Sequence, residues 1–404
     1  MNLKSLPPRA LNRLRRYRWT LRAPVLSYMT RQYVDSPRSS SASQNRYASQ
    51  SRYIALEEAI AWLYRSMDIE EADGSRCYDV NRGWSNCYPE VTGYNLYTLY
   101  DHAHLFQRAE SAARATRMAR WLLSVQLESG AYHGGYVGGG AGAVVFNTGQ
   151  VVQGLVRAFV ETQEELFLDA AKRAGDWLVE VQDPDGAWRK FCYLDVHRVT
   201  DTRIAHPLAE LWEVTQEERY RDSAERCLNY VADEQHENGW FPNCDNSTHS
   251  VDAPVTHTIA YTAEGLLKGG LILENERAID AGRRAAQAML RRFEISRVLH
   301  GRYDERWRPT VDWTCLTGCA QTSELWAILS EHDDDPAFLN GAVKMNDYLC
   351  TVQDLNSRHP GIRGGIAGSE PLTGTYMYGR FPSWACKYFC DALMMELKVT
   401  GASS

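Results

Sequence analysis

The sequence predicts an all-α fold, an (α/α)6 toroid of six helical hairpins spanning residues 54–400. Three observations carry that prediction. A turn motif returns about every fifty-five residues, as Gln126-Leu-Glu-Ser-Gly130-Ala-Tyr132, Gln182-Asp-Pro-Asp-Gly186-Ala-Trp188 and Gln235-His-Glu-Asn-Gly239-Trp240, with a weaker copy from Gln353-Asp354. Fixed-period self-similarity of this length is the mark of a repeat architecture. Amphipathic segments alternate with segments apolar around their whole circumference, the pattern of outer and buried helices. Finally, long connections alternate with short ones.

The outer helices are expected near 54–70, 109–127, 164–182, 217–236, 277–294 and 335–353. Ala170 to Val181 illustrates them, with apolar residues at helical spacing and charge on the opposite face. The inner helices are expected near 92–106, 148–162, 203–215, 257–272, 315–330 and 383–398, as in Val151-Val-Gln-Gly-Leu155. Thr92, Asn147 or Thr148, Thr202, Thr256, Thr314 and Ser383 stand as N-caps of the inner set. Six nearly equal units close a ring. An open solenoid, the alternative, needs polar end caps.

Composition bounds the rest. The chain has 404 residues, 44% hydrophobic, with 12 Trp and 22 Tyr, enough for a large core. No apolar run spans a bilayer, and no apolar stretch follows the basic N-terminus as a secretory signal requires. Residues 1–53 form an arm with eleven Arg or Lys against Asp35 alone, leaving the remainder at −17. Its segment Arg13-Leu-Arg15-Arg16-Tyr-Arg18-Trp19 reads either as a dock for an anionic membrane face or acidic partner, or as a strand of charge that pairs with the protein's own acidic body. Nucleic acid is not an expected partner, because the body is acidic and carries no base-reading module. Ser36–Ser51 reads as a linker. Ten scattered Cys without framework spacing imply reduced thiols and a cytoplasmic protein, peripheral on the inner membrane face if the arm docks there. No cofactor and no metal are expected. Cys315, Cys319, Cys386 and Cys390 read as small core residues, and the glycines at 134–140 and 361–368 as rim loops.

All long loops fall on one rim, where six inner-helix N-termini converge. Their free N–H groups favour an anion there. Acids precede several inner helices: Glu90, Asp201, Asp252 and Asp312, with Asp195 and Glu370 further back. Each alone reads as helix-dipole stabilisation, but a pair in an apolar cup can act as acid and base. His206 and His257 occupy equivalent places in inner helices, where a neutral imidazole can move protons. Tyr261 lies one turn from His257 on the same face. The catalytic candidates are therefore Asp201, His206, Asp252, His257, Tyr261 and Asp312. Glu90, Asn147, Gln150 and Gln321 suit hydroxyl or carboxylate recognition, and Arg203, Arg363, Arg380 and Lys387 add cationic reach. Trp313, Tyr376 and Tyr378 offer faces on which sugar rings stack, whereas Trp188 and Trp240, at the repeat position, read as turn packing.

The Gln-x-x-x-Gly-x-Trp turns resemble those of terpene-cyclase α/α toroids, although the Asp-x-Asp-Asp motif of those enzymes is missing. A lanthionine-cyclase-like zinc site would need a Cys-His dipeptide, which the sequence lacks. Asn147-Thr-Gly-Gln150, Asp312-Trp-Thr-Cys-Leu-Thr-Gly318, His359-Pro-Gly-Ile-Arg363 and Phe381-Pro-Ser-Trp384-Ala-Cys-Lys387 resemble six-hairpin glycosidase-like proteins of bacterial surface-polysaccharide biosynthesis. The stretch Gly149-Gln150…Leu155-Val-Arg157-Ala-Phe159 is similar to the helical domain of glucuronyl C5-epimerases, without their β-domains. These resemblances imply a carbohydrate-active enzyme on a uronate-containing or lipid-linked saccharide, acting by hydrolysis or by epimerase/lyase-type proton abstraction. The alternatives are a non-catalytic glycan-binding partner of membrane glycosyltransferases and a terpene-cyclase-like isoprenoid enzyme.

Overall fold

The structure, a computed structural model, describes residues 48–69, 72–192, 196–246 and 253–401. Twelve helices pair into six hairpins among these residues. The outer helices are α1 (Ala48–Met67), α3 (Ala109–Ser124), α5 (Glu165–Glu180), α7 (Glu218–Glu234), α9 (Glu276–Ser296) and α11 (Pro336–Val352). The inner helices are α2 (Pro89–Phe106), α4 (Val145–Thr162), α6 (Thr202–Thr215), α8 (Thr256–Leu273), α10 (Leu316–Asp333) and α12 (Ser383–Thr400). Each inner helix packs on the next, and α12 packs back on α2, so the ring closes as expected. Short strands trim the rim. β1 (Tyr78–Asp79) pairs antiparallel with β2 (Gly83–Trp84) and with β5 (Arg380–Phe381), and β3 (Thr314–Cys315) with β4 (Ser369–Glu370). Among the described residues no helix is long and apolar enough to cross a membrane.

Inner helices pass to outer ones through two residues. The first of each pair, Gln107, Gln163, Gln216, Glu274 and Asp334, adopts φ between 51° and 57°. These are left-handed C-caps built here without glycine, and the N–H of the first four satisfies a last-turn carbonyl. The outer-to-inner connections are the long ones, and they put all irregular chain on the inner-helix N-terminal rim.

The repeated Gln is the clasp between neighbouring hairpins. The side-chain amide of Gln126 donates to its own turn at the Gly130 carbonyl (2.8 Å) and to Ala170 of the next outer helix (2.9 Å). Gln182 does the same to Gly186 and Ser223, and Gln235 to Gly239 and Ala281. Gln353 completes the set, donating to Gly364 (2.7 Å) and to Ala55 of α1 (3.0 Å). The motif glycines have φ near +90°, and a Cβ on Gly130 would lie 2.4 Å from the Arg173 carbonyl. Only glycine meets both requirements.

Five of the inner helices start earlier than their expected caps predict, and α10 starts one residue later, at Leu316. α2 and α4 begin at Pro89 and Val145, and no inner helix has a side-chain N-cap hydrogen bond. Thr92 and Thr148 instead bond back to the carbonyls of Tyr88 and Val144 (both 2.8 Å) and accept the N–H of Ser75 and Tyr132. They anchor incoming loops from within the first turn.

One buried residue from each inner helix fills the ring axis: Tyr94, Gln150, Arg203, Tyr261, Gln321 and Tyr388. The layer is polar, unlike an ordinary core, and it forms the floor of the rim mouth.

Candidate functional site at the inner-helix mouth

Above this floor lie Glu90 in the first turn of α2, Asn147 in the first turn of α4 and His257 in the first turn of α8. The Asn147 amide donates to Glu90 Oε2 at 2.7 Å, and the Tyr88 hydroxyl also bonds to this carboxyl. Burial dominates even so and raises Glu90 to about 7. A carboxyl poised between its two states near neutrality is a competent proton donor.

His257 is 3% exposed, and burial pushes its imidazole down to about 4. Nδ1 lies 2.5 Å from Gln321 Oε1. Nε2 has no hydrogen-bond partner among the described residues and is not sealed from solvent. Gly318 lets α10 approach closely, since a Cβ there would sit 2.6 Å from the His257 backbone nitrogen.

Aromatic rings run around the mouth. Tyr136 contacts Tyr88 (5.1 Å between centroids), and Tyr88 contacts Trp384 edge-on (6.4 Å). Trp384 donates its indole N–H to the Tyr376 hydroxyl at 2.8 Å, and Tyr376 packs on His257. His257 packs on Tyr261 (4.2 Å), which meets Phe146 and Tyr388. Such rings present the faces on which sugar C–H groups or an apolar chain could lie.

The expected cations are placed differently. Arg203 is fully buried in the floor, where Glu264 (2.8 Å), Gln150 (3.1 Å) and Gln153 (3.2 Å) take its guanidinium. Lys387 points below the floor to Asp391 (2.5 Å) and lies over the Tyr388 ring. Arg363 pairs with Glu58 of the outer helix α1 (3.3 Å), so it faces the perimeter. Arg380 stays at the rim, 38% exposed, held by Asp79 at 3.0 Å. Long cationic side chains go where carboxylates are fixed; inner-helix spacing reveals only the i,i+4 pair of Lys387 with Asp391.

The expected acids and His206 also separate. Asp201 lies near Cys227 of the outer helix α7 and 3.8 Å from His197. It is buried and raised to about 8 by desolvation, but it is not among the groups around Glu90 and His257. Asp312 is exposed, and Asp252 and Asp195 lie outside the described residues. His206 is one turn below Arg203 and pairs with Glu210 at 3.2 Å, under the floor. Trp313 packs in a satellite cluster with Val255, Cys315 and Tyr376, and Tyr378 is half-buried in the rim loop. The site therefore unites Glu90, Asn147, Gln150, Arg203, His257, Tyr261, Gln321 and Tyr376. Tyr88, Tyr94, Glu264, Trp384 and Tyr388 also lie in this cluster, and sequence reasoning did not single them out as site residues. Polar residues at i, i+4, i+7 within an apolar helix, as in His257-Tyr261-Glu264, were the available signal.

Comparison with known proteins agrees with this architecture. The squalene-hopene cyclase C-terminal domain matches residues 85–263, less than half of the chain. Among curated proteins none matches the sequence significantly. Solved structures that resemble it include a sugar epimerase from a ruminal bacterium (TM-score 0.71, 12% identity, 88% of this chain and 99% of that one). An unsaturated glucuronyl hydrolase specific for heparin is similar at TM-score 0.68 and 12% identity, covering 87% and 98%. Cellobiose 2-epimerase from Bacillus thermoamylovorans B4167 is similar at TM-score 0.67 and 13% identity, covering 88% and 99%. At these identities the likeness establishes the toroid fold.

Proposed function

We propose that this protein is a carbohydrate-active enzyme that performs acid–base chemistry on a saccharide bound at the aromatic mouth. The carrying observation is a titratable pair on one rim: Glu90, raised to about 7, and His257, lowered to about 4 with Nε2 open. Between those values the carboxyl holds its proton and the imidazole is bare, the states required of a proton donor and a proton acceptor. Hydrolysis by two carboxylates fits less well, because the carboxylate nearest His257, Glu264, is tied up in the floor by Arg203 and Lys268 while Asp201 and Asp312 lie elsewhere. Proton abstraction at a sugar carbon, as in epimerisation or elimination, is the favoured class. Sugar epimerases and glucuronyl hydrolases among the structural relatives support a saccharide ligand. A uronate carboxylate would meet Arg380 at the rim, because Arg203 is sealed.

The test is incubation with neutral, uronate and lipid-linked oligosaccharides in deuterated water, followed by mass spectrometry. Epimerisation incorporates solvent deuterium at carbon, elimination loses an alcohol or water, and hydrolysis gains water. No change on any sugar overturns the reading. Placement in surface-polysaccharide assembly is part of this proposal, with the basic arm as far as residue 47 as a dock for an anionic membrane or a membrane glycosyltransferase, since residues 48–53 of the expected arm belong to α1 and Arg52 is buried in ion pairs with Asp347 and Glu396. Deleting residues 1–45 should then release the protein from phosphatidylserine vesicles, and retained binding refutes the dock. A second reading, an isoprenoid cyclase, is favoured by the family match over residues 85–263 and by the aromatic lining. Turnover of a polyprenyl substrate, with none on sugars, would select it.

A further inference from the structure

We infer that Gln321 is the positioning residue that fixes the tautomer of His257, and that Glu264 and Arg203 fix Gln321 in turn. The inference rests on the acid–base reading of the mouth and names what keeps its base usable.

The chain of contacts crosses four inner helices. Burial opposes ionisation of Glu264, but Arg203, Lys268 and Lys387 overcome it and hold its carboxyl far below the usual range. An ionised carboxylate only accepts hydrogen bonds. The Gln321 amide group at 3.4 Å from Glu264 Oε2 must therefore turn its NH2 toward it. That leaves the amide oxygen facing His257 Nδ1 at 2.5 Å, and an oxygen there admits only an N–H. A neutral imidazole has one ring proton. With Nδ1 holding it, Nε2 is left as the proton acceptor. Arg203 cannot swing away, because Gln150 and Gln153 take its other nitrogen and the Gln150 amide donates to its backbone carbonyl at 2.7 Å.

Burial is the largest influence on His257 and keeps its ring neutral; Gln321 and Glu264 of α8 favour a second proton without overcoming it, Arg203 of α6 disfavours one, and Tyr261, Tyr376 and Cys315 stay protonated through burial. A merely structural network would fill the axis equally well without selecting a ring nitrogen, and this difference can be measured.

The experiment is long-range 15N–1H NMR of the full chain labelled at histidine, followed through an acid titration, with Gln321→Glu and Gln321→Leu variants. Wild type should show His257 protonated at Nδ1 alone near neutrality. Gln321→Glu places a carboxylate against Nδ1 and should raise the titration midpoint by about one to three pH units. The acidic limb of turnover should move with it. Gln321→Leu removes the acceptor and should give a mixture of both tautomers. A wild-type ring protonated at Nε2, or a Gln321→Glu midpoint that stays in place, overturns the inference. Should the variants fail to fold, the wild-type tautomer decides alone. An Nδ1–H ring in a protein that turns over no sugar leaves the positioning chain intact and removes the proposed function; turnover with the opposite tautomer does the reverse.

Discussion

The Gln353 side chain donates to the carbonyl of Ala55, 298 positions earlier in the chain, and so joins the sixth hairpin to the first. The same contact at Gln126, Gln182 and Gln235 joins consecutive neighbours. Locally identical bonds thus differ in topology: three link adjacent repeats, and one shuts the ring.

Gln353→Leu should lower stability by about 1–3 kcal/mol, because it removes two buried hydrogen bonds, to the carbonyls of Gly364 and Ala55. Urea unfolding measures the loss, and hydrogen exchange should show α1 opening first. Uniform opening around the ring would count against a special closing role.

Gly364→Ala should cost more than Gly135→Ala. Both glycines have positive φ, 77° and 68°, but a Cβ at 364 would lie 2.2 Å from the Glu58 carbonyl whereas 135 faces open space. The expected difference is about 1–3 kcal/mol, the usual cost of forced local strain. Equal midpoints in paired denaturation curves would refute it.

Asp201 makes stability depend on pH. Its folded-state value, about 8, is above that of an unfolded aspartate, about 3.9, because burial disfavours the anion. The native state therefore holds its proton longer. The stabilisation is complete below the unfolded value and is lost as pH rises through about 8. Asp201→Asn should flatten the fall in melting temperature on the alkaline side. His257 acts oppositely: its lowered value gives stability above the unfolded range that is lost as pH falls through about 4.

Glu90→Gln and His257→Gln should each lower turnover by about 10²–10⁴-fold, the usual range for removing a positioned acid or base. The wild-type rate should fall above about 7 as Glu90 ionises and below about 4 as His257 gains its second proton. Glu90→Gln should erase the upper limb only. Loss of both limbs in that variant would mean that one coupled group controls the profile.

The toroid was legible because repetition states it many times over: six hairpins, one turn motif, one alternation of long and short connections. That His257, Tyr261 and Gln321 come together at one mouth was legible because polar residues stand out in apolar helices. The placement of Arg203 was not, since its carboxylate partner, Glu264, comes from another hairpin, on α8; Lys387 pairs with Asp391 one turn along α12, a spacing the sequence did contain. Asp201 misled because a position before an inner helix fixes height on the rim but not direction, and this side chain turns outward. Tyr88 was not singled out, and Trp384 entered only as part of the resemblance, because loop and helix-start aromatics are common and only closure of the ring makes them neighbours.

The floor of six interlocked side chains, from Tyr94 round to Tyr388, makes the mouth a dead end. A polymer cannot thread through the centre of this molecule. It can offer only a terminus or a side branch, and whatever has entered must back out the way it came before another can follow.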